Sequence, residues 1–456
     1  MTINFSTFEI GKRALRHNQL GIEITGQNIA NVNTPGYTRQ YLQSDYSSVS
    51  HALEGNITID TVRSYRDRFL ETRIQSETAV AGRLTTRREA LASTEVILQG
   101  TENSGIQSAL TKFFGSFRDL EANPSSLPLR TIAAQRGTEL ASAFQTTRAH
   151  LDEVRHDANA QVLTAVDQAN SLSQQIASLN EQIRKVEAEK GNSNALQDQR
   201  GELVRQFSEL TGARTVENGD GTISLTNSDG RPFVLADKAY SIGSNSVPPN
   251  GFAALTLNGD PLQTSDGKIK GYQDAIQTVS GQIDTLDNIA ASIANRVNAL
   301  HTSGTDFNGN AGVNFFDTTN PVTAANFQVN SAILADPKLV VASPLTQPNQ
   351  HGTVAGQIAG LLTDNTSVVG SQTGSYSSIY GSLIADAGKQ INEADNALQT
   401  QAAILAQVSA QRDSISGVSL DEEAINLLQY QRAFEAAAKF LKVADEMTQT
   451  ILSLTQ

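Results

Sequence analysis

Only a few stretches of this 456-residue chain bring together residue types that do chemistry. His351-Gly352-Thr353-Val354-Ala355-Gly356 begins like the histidine motif of a serine protease, where an imidazole acts as general base. It is one residue short of that pattern and no Gly-Thr-Ser motif follows, so a loop preceding a short helix is the better reading. Asp306-Phe307-Asn308-Gly309-Asn310-Ala311-Gly312 opens like a calcium loop, whose alternating oxygen donors ligate a hard cation. Ala311 takes the place of the loop's obligatory glycine, and Asp317 stands where a glutamate should close it, which leaves a polar turn. Glu217-Asn218-Gly219-Asp220-Gly221 reads as a hairpin loop. Gly-rich phosphate loops and the His-Glu-x-x-His zinc pair are both missing. The chain has 0 Cys and 6 His, which rules out thiolate chemistry and thins the supply of general bases and metal ligands. Arg83, Arg87 and Arg88 fit a solvated helix face or an intersubunit ion-pair patch. No enzyme, cofactor or metal site is expected.

The formal net charge of -13 argues against a nucleic-acid surface. Met1 to Glu9 lacks the basic and apolar regions of a cleaved secretory signal, and no apolar run is long enough to insert into a membrane. Export, if it occurs, needs another route.

With chemistry set aside, the periodic segments carry the information. From Val418 to Gln456 there is no Gly or Pro, and Ser419 precedes the acidic run Asp421-Glu422-Glu423, as at a capped helix start. One row of positions steps by three and four through Leu420, Leu427, Phe434 and Leu441. A second runs through Tyr430, Ala437, Ala444 and Ile451, flanked by Phe440 and Met447. Two rows make a face too wide for a two-helix seam. The N-terminal segment repeats Phe8, Leu15, Ile22 and Ile29 every seven residues and ends at Asn31-Val32-Asn33-Thr34-Pro35-Gly36-Tyr37, a strong turn signal.

Between the ends, helices are expected at about 65–99, 129–190, 196–210, 273–300, 354–363 and 376–414, with irregular chain around Phe113, Phe114 and Phe117 and a flexible link at 370–374. Short strands between turns fill 213–270, and 301–348 reads as irregular or β-like. The expected fold is mainly α with β insertions: an elongated multi-domain rod with the terminal helices paired as a coiled coil. The expected domains are 1–40 plus 415–456 (terminal coiled coil), 41–212 plus 271–414 (long-helix bundle) and 213–270 (small β-rich outer domain).

Ala30-Asn31-Val32-Asn33-Thr34-Pro35-Gly36-Tyr37 resembles the signature of bacterial flagellar axial proteins, and its continuation Thr38-Arg39-Gln40 resembles the version in the hook-associated protein 1 family. Gly417 to Ala424, then Leu427, Tyr430-Gln431, Phe434 and Asp445-Glu446-Met447, are similar to the same family. So are Val297-Asn298-Ala299-Leu300-His301, Asp306-Phe307-Asn308-Gly309 and Phe315-Phe316. The resemblance implies a structural subunit at the hook–filament junction, outside the cell, which is exported by the flagellar type III apparatus. It implies a ring of identical copies, with hook protein, a second junction protein and an export chaperone on the C-terminal helix as partners. Assembly would then rest on Phe8, Leu15, Ile22, Ile29, Asn31, Thr34, Pro35, Gly36, Tyr37, Leu420, Leu427, Tyr430, Phe434, Phe440, Leu441, Met447 and Ile451. Another axial protein of hook or distal-rod type, or a secreted coiled-coil adhesin, is the alternative.

Overall fold

The computed structural model describes residues 2–46, 58–100, 105–247 and 252–454. Helix α1 is Thr2–Ala30, followed by the antiparallel pair β1 (Gln40–Tyr46) and β2 (Thr58–Ser64), with Gln40 opposite Ser64. The extended stretch expected from Tyr41 to Ile59 includes 47–57, which lie outside the described residues.

Helix α2 (Arg68–Leu91) starts at Asp67, whose carboxylate accepts from the Phe69 and Leu70 amides. The single helix expected over 65–99 is broken at Ala92-Ser93, and α3 (Thr94–Gln99) continues separately. The Thr94 hydroxyl donates to the Leu91 carbonyl at 2.8 Å and so engages an acceptor that a continuing helix would use. Helix α4 (Ile106–Ala122) corrects the irregular reading of the phenylalanine stretch. Ile106, Leu110, Phe113, Phe117 and Leu120 lie at helical spacing and are fully buried. The long helix α5 (Leu127–Ala188) and α6 (Asn194–Thr211) form the expected αα-hairpin.

One antiparallel sheet has the order β3 (Arg214–Glu217), β4 (Ile223–Thr226), β5 (Pro232–Leu235), β6 (Lys238–Ala239), and the next β7 (Ile242–Val247), β8 (Phe252–Leu257), β9 (Asp260–Pro261). Asn258 and Gly259, with φ of 56° and 89°, turn β8 into β9, the left-handed pair that a tight hairpin requires.

Helix α7 (Gly267–His301) leads into β10 (Gly304–Thr305), α8 (Ser331–Ala335) and β11 (Ser343–Pro344), which pairs with β10. Then come α9 (Thr353–Gly360), β12 (Val368–Val369), β13 (Gln372–Thr373), α10 (Tyr376–Ser416) and α11 (Leu420–Leu454). The flexible link expected at 370–374 lies in the β12–β13 hairpin.

Two apolar clusters hold the body. One joins α3, α4, the first half of α5, α7, α9 and the start of α10 to Phe315, Phe316 and Phe327. The other joins Val162 to Ala177 of α5 with α6 and the inner faces of both sheets. Among the described residues, neither cluster contains one from α1 or α11.

Several polar side chains of the body close turns or tie elements together. The Asp306 carboxylate accepts from the Asn310 amide at 2.8 Å and from its side chain at 3.2 Å, closing its own turn. His351 is exposed just before α9. His301 is fully buried, with Nδ1 2.5 Å from the Val313 carbonyl and Nε2 accepting from the Val341 amide at 2.9 Å. Burial pushes its pKa down to about 4, so the ring is neutral over most of the working range. Arg130, also fully buried, donates to the carbonyls of Val340 and Pro124 and to the Asn349 side chain, tying α5 to the irregular 301–348 region. Lacking a carboxylate contact, its guanidinium is driven down by burial to about 10, against the attraction of Asp306.

Candidate assembly interface

The two terminal helices pack along each other, and they run antiparallel. Gly11 lies under Leu441, Gly21 under the Tyr430 ring, and Asn28 meets Glu423. A Cβ on Gly21 would stand 2.6 Å from Tyr430, so the ring sits in a hole that only glycine leaves. On α1 the covered positions Gly11, Ala14, Asn18, Gly21, Thr25 and Asn28 alternate three and four, with Ile24 buried beside them. The polar members satisfy themselves locally: Asn18 donates to the Ala14 carbonyl and Thr25 to the Gly21 carbonyl, both at 2.8 Å.

The facing row on α11 is Glu423, Leu427, Tyr430, Phe434, Ala437, Leu441, Ala444 and Thr448. It draws on both rows read from the sequence. Small residues on α1 let larger ones on α11 come close, a complementarity that a hydropathy pattern does not display. Phe8, Leu15, Ile22 and Ile29 flank the α1 seam and are half-buried. Outside the seam, Leu420, Ile425, Leu428, Phe440, Val443 and Met447 are 44–60 % exposed. Ile425, Leu428 and Val443 were not singled out from the sequence, although their apolar type on a polar helix was the available signal. The Ile451 side chain lies outside the described residues.

At the inner end of the pair the turn motif folds into a polar joint. Thr34 donates through its amide to the Asn31 carbonyl at 2.9 Å and through its hydroxyl to the Asn31 side chain at 3.1 Å. Pro35 is exposed at the turn, and Gly36 follows with φ of 79° against Glu202 of α6. Asn28, wholly buried, uses its full hydrogen-bonding capacity. Its oxygen accepts from the Tyr37 hydroxyl at 2.8 Å and the Gln40 amide at 3.0 Å. Its amide donates to the Gln40 carbonyl at 2.9 Å and to Glu423 at 3.1 Å. Glu423, 2 % exposed, also accepts from Arg39 Nε at 2.7 Å, and Arg39 reaches Glu422 at 2.6 Å.

The electrostatics follow from this closure. Burial, with Asp198 and Glu423 nearby, pushes the Tyr37 hydroxyl up to about 12, so it remains a donor. Burial works to lower Arg39, but Glu422 and Glu423 outweigh it and raise the guanidinium above its ordinary value. Asn28, Arg39 and Glu423 were missed as site residues. The sequence did place Asn28 and Arg39 beside the motif, and Glu423 extends the three-four spacing of Leu427, Tyr430 and Phe434.

The comparisons with known proteins fall on these same segments. Residues 8–38 match the family described as "Flagella basal body rod protein", and residues 410–454 match "Flagellar basal body rod FlgEFG protein C-terminal". Residues 91–316 match "Flagellar hook-associated protein FlgK helical domain". Flagellar hook-associated protein 1 of Bacillus subtilis (strain 168) is 28% identical, covering 99% of this chain and 99% of that protein.

The chain is similar to the flagellar hook-associated protein 1 family along nearly its whole length.

Within that family, the protein of the same name from Escherichia coli (strain K12) is 24% identical over 96% of this chain and 97% of its own length. The solved structure of the flagellar hook junction protein FlgK from Burkholderia pseudomallei shares the fold, with a TM-score of 0.66 at 16% identity, over 76% of this chain and 100% of that one. The family is one of structural flagellar proteins rather than enzymes. Among the described residues, no helix is long and apolar enough to cross a membrane.

Proposed function

We propose that this protein acts as a hook-associated protein, the structural subunit that joins hook to filament. One observation carries the reading: the two ends matched by axial-protein families form a single antiparallel helical unit that leaves large apolar side chains exposed. A free monomer gains little from Val443 and Met447 in water, whereas neighbouring copies in a ring can cover them. Each 1,000 Å² of apolar surface so covered contributes about 25 kcal/mol gross, before ordering costs offset most of it.

In this reading residues 1–40 plus 415–456 are the terminal coiled-coil unit of the inner tube, 41–212 plus 271–414 the helical body, and 213–270 an outer β-rich unit. The chain leaves the cell through the flagellar type III apparatus, its C-terminal helix covered by an export chaperone. It then meets hook protein on one side and a second junction protein on the other. The assembly contacts are the flanking row Phe8, Leu15, Ile22 and Ile29 together with Leu420, Phe440, Met447 and Ile451. The seam residues Leu427, Tyr430, Phe434 and Leu441 hold the pair itself, and Asn31 to Tyr37 turn the chain into the body.

Deletion of Leu420–Gln456 tests this in cells whose own copy is removed. Electron microscopy is expected to show bare hooks, with flagellin released into the medium. Normal filaments and motility would refute the reading.

A further inference from the structure

The joint between the terminal pair and the body is held largely by polar contacts. Among the described residues, none of α1 or α11 enters either buried apolar cluster, so side-chain packing of those cores does not set the angle between the two parts. Beside the direct α10–α11 link at 417–419, residues 37–40 and their hydrogen bonds span them. Two successive amides point to different partners. Thr38 donates to the Asp198 carboxylate of α6 at 3.2 Å, and Arg39 donates to the Ser416 carbonyl at the end of α10 at 2.9 Å. The Arg39 carbonyl in turn accepts from the Tyr65 amide at 2.8 Å, and its guanidinium lies 5.4 Å over the Tyr65 ring.

Asp198 is itself gripped by Arg66 at 2.5 Å, and Arg66 approaches Glu71 of α2 at 3.4 Å. On the other side Glu423 takes Arg39 and Asn28 together. A largely covered carboxylate on the body, Asp198, and a buried one on the terminal pair, Glu423, therefore hold the cross-piece from opposite ends. Buried ion pairs of this kind add little net stability compared with apolar packing, but they are strict about direction.

We infer that Asp198 and Glu423 are positioning residues that fix the direction in which the terminal helices leave the body, and that the joint pivots when both are neutralised. The consequence for ring assembly rests on the proposed function, but the geometry of the joint does not, since it is a property of the free subunit.

The chain has 0 Cys, so two introduced cysteines carry spin labels without interference. Lys439→Cys on α11 and Gln399→Cys on α10 are both at exposed positions. Electron–electron double resonance on the full-length monomer is expected to give one narrow distance distribution. Adding Asp198→Asn and Glu423→Gln is expected to broaden it about twofold, as at a released hinge. A second label pair, Lys12→Cys with Lys439→Cys, reads the terminal pair alone and is expected to stay narrow in both backgrounds. A distribution across the joint as narrow as the parent's would overturn the inference. So would broadening of both label pairs, because the helices would then have separated rather than pivoted.

Discussion

The body and the terminal helix pair are both largely helical, yet they are held together in opposite ways. The body closes on aromatic rings. Phe113 lies 5.5 and 5.6 Å from Phe315 and Phe316, Phe316 lies 4.4 Å from Phe327, and all four are fully buried. The terminal pair closes on glycine, alanine, asparagine and threonine from α1 with one large buried apolar residue, Ile24, and most of the α11 seam is only half-buried. A dry aromatic core makes a unit that is stable before it meets anything. A narrow seam beside exposed Leu428, Phe440 and Met447 makes one that gains most of its stability on assembly.

The contrast can be broken most severely from the body side. Phe316→Ala removes a ring packed on three others and is expected to cost about 3–5 kcal/mol in denaturant unfolding. Acid should act on the same region through His301. Its native pKa is lowered to about 4 from 6.5, so below pH 6.5 the unfolded chain binds a proton that the native state refuses. Stability is therefore present above that window and lost as pH falls through it, by about 3 kcal/mol in all. His301→Gln is expected to flatten this part of a pH series of urea melts.

Glycine substitutions sharpen the other half of the comparison. Gly21→Val drives a side chain into the Tyr430 ring and is expected to weaken the terminal pair by about 1–3 kcal/mol, read as faster amide exchange in α11. Gly26 faces open space, with nothing within 4 Å of an added Cβ. Gly26→Ala is expected to strengthen α1 by about 1 kcal/mol through helix propensity, seen as slower exchange there. The smallest effect on the monomer belongs to Val443→Asp with Met447→Asp, within about 0.5 kcal/mol for exposed positions. Sedimentation with purified hooks should nevertheless show that this variant no longer binds their ends.

Long periodic segments were legible in the sequence because burial repeats with the helix. The apolar row of α5 from Phe144 to Ile183, the α5–α6 hairpin and the α7 row from Val279 to Val297 need no knowledge of the partner. Phe113, Phe114 and Phe117 looked irregular because crowded aromatics obscure a regular helical stripe. The seam of α1 was hidden for the opposite reason. Gly11, Gly21 and Thr25 carry no hydropathy signal, and their value lies in what they allow Leu441 and Tyr430 to do. The motif from Asn31 to Tyr37 was readable as a turn, but its closure on Asn28, Asp198 and Glu423 depends on residues far apart in the chain.

Hydrogen exchange, followed by mass spectrometry on the free subunit and on the same chain assembled onto hook ends, compares the two regions directly. In the free subunit α11 amides are expected to exchange orders of magnitude faster than those of α4 and α7, and to become slow only after assembly. Equal protection of α11 and α7 in the free subunit, unchanged by assembly, would contradict a terminal pair completed by its neighbours.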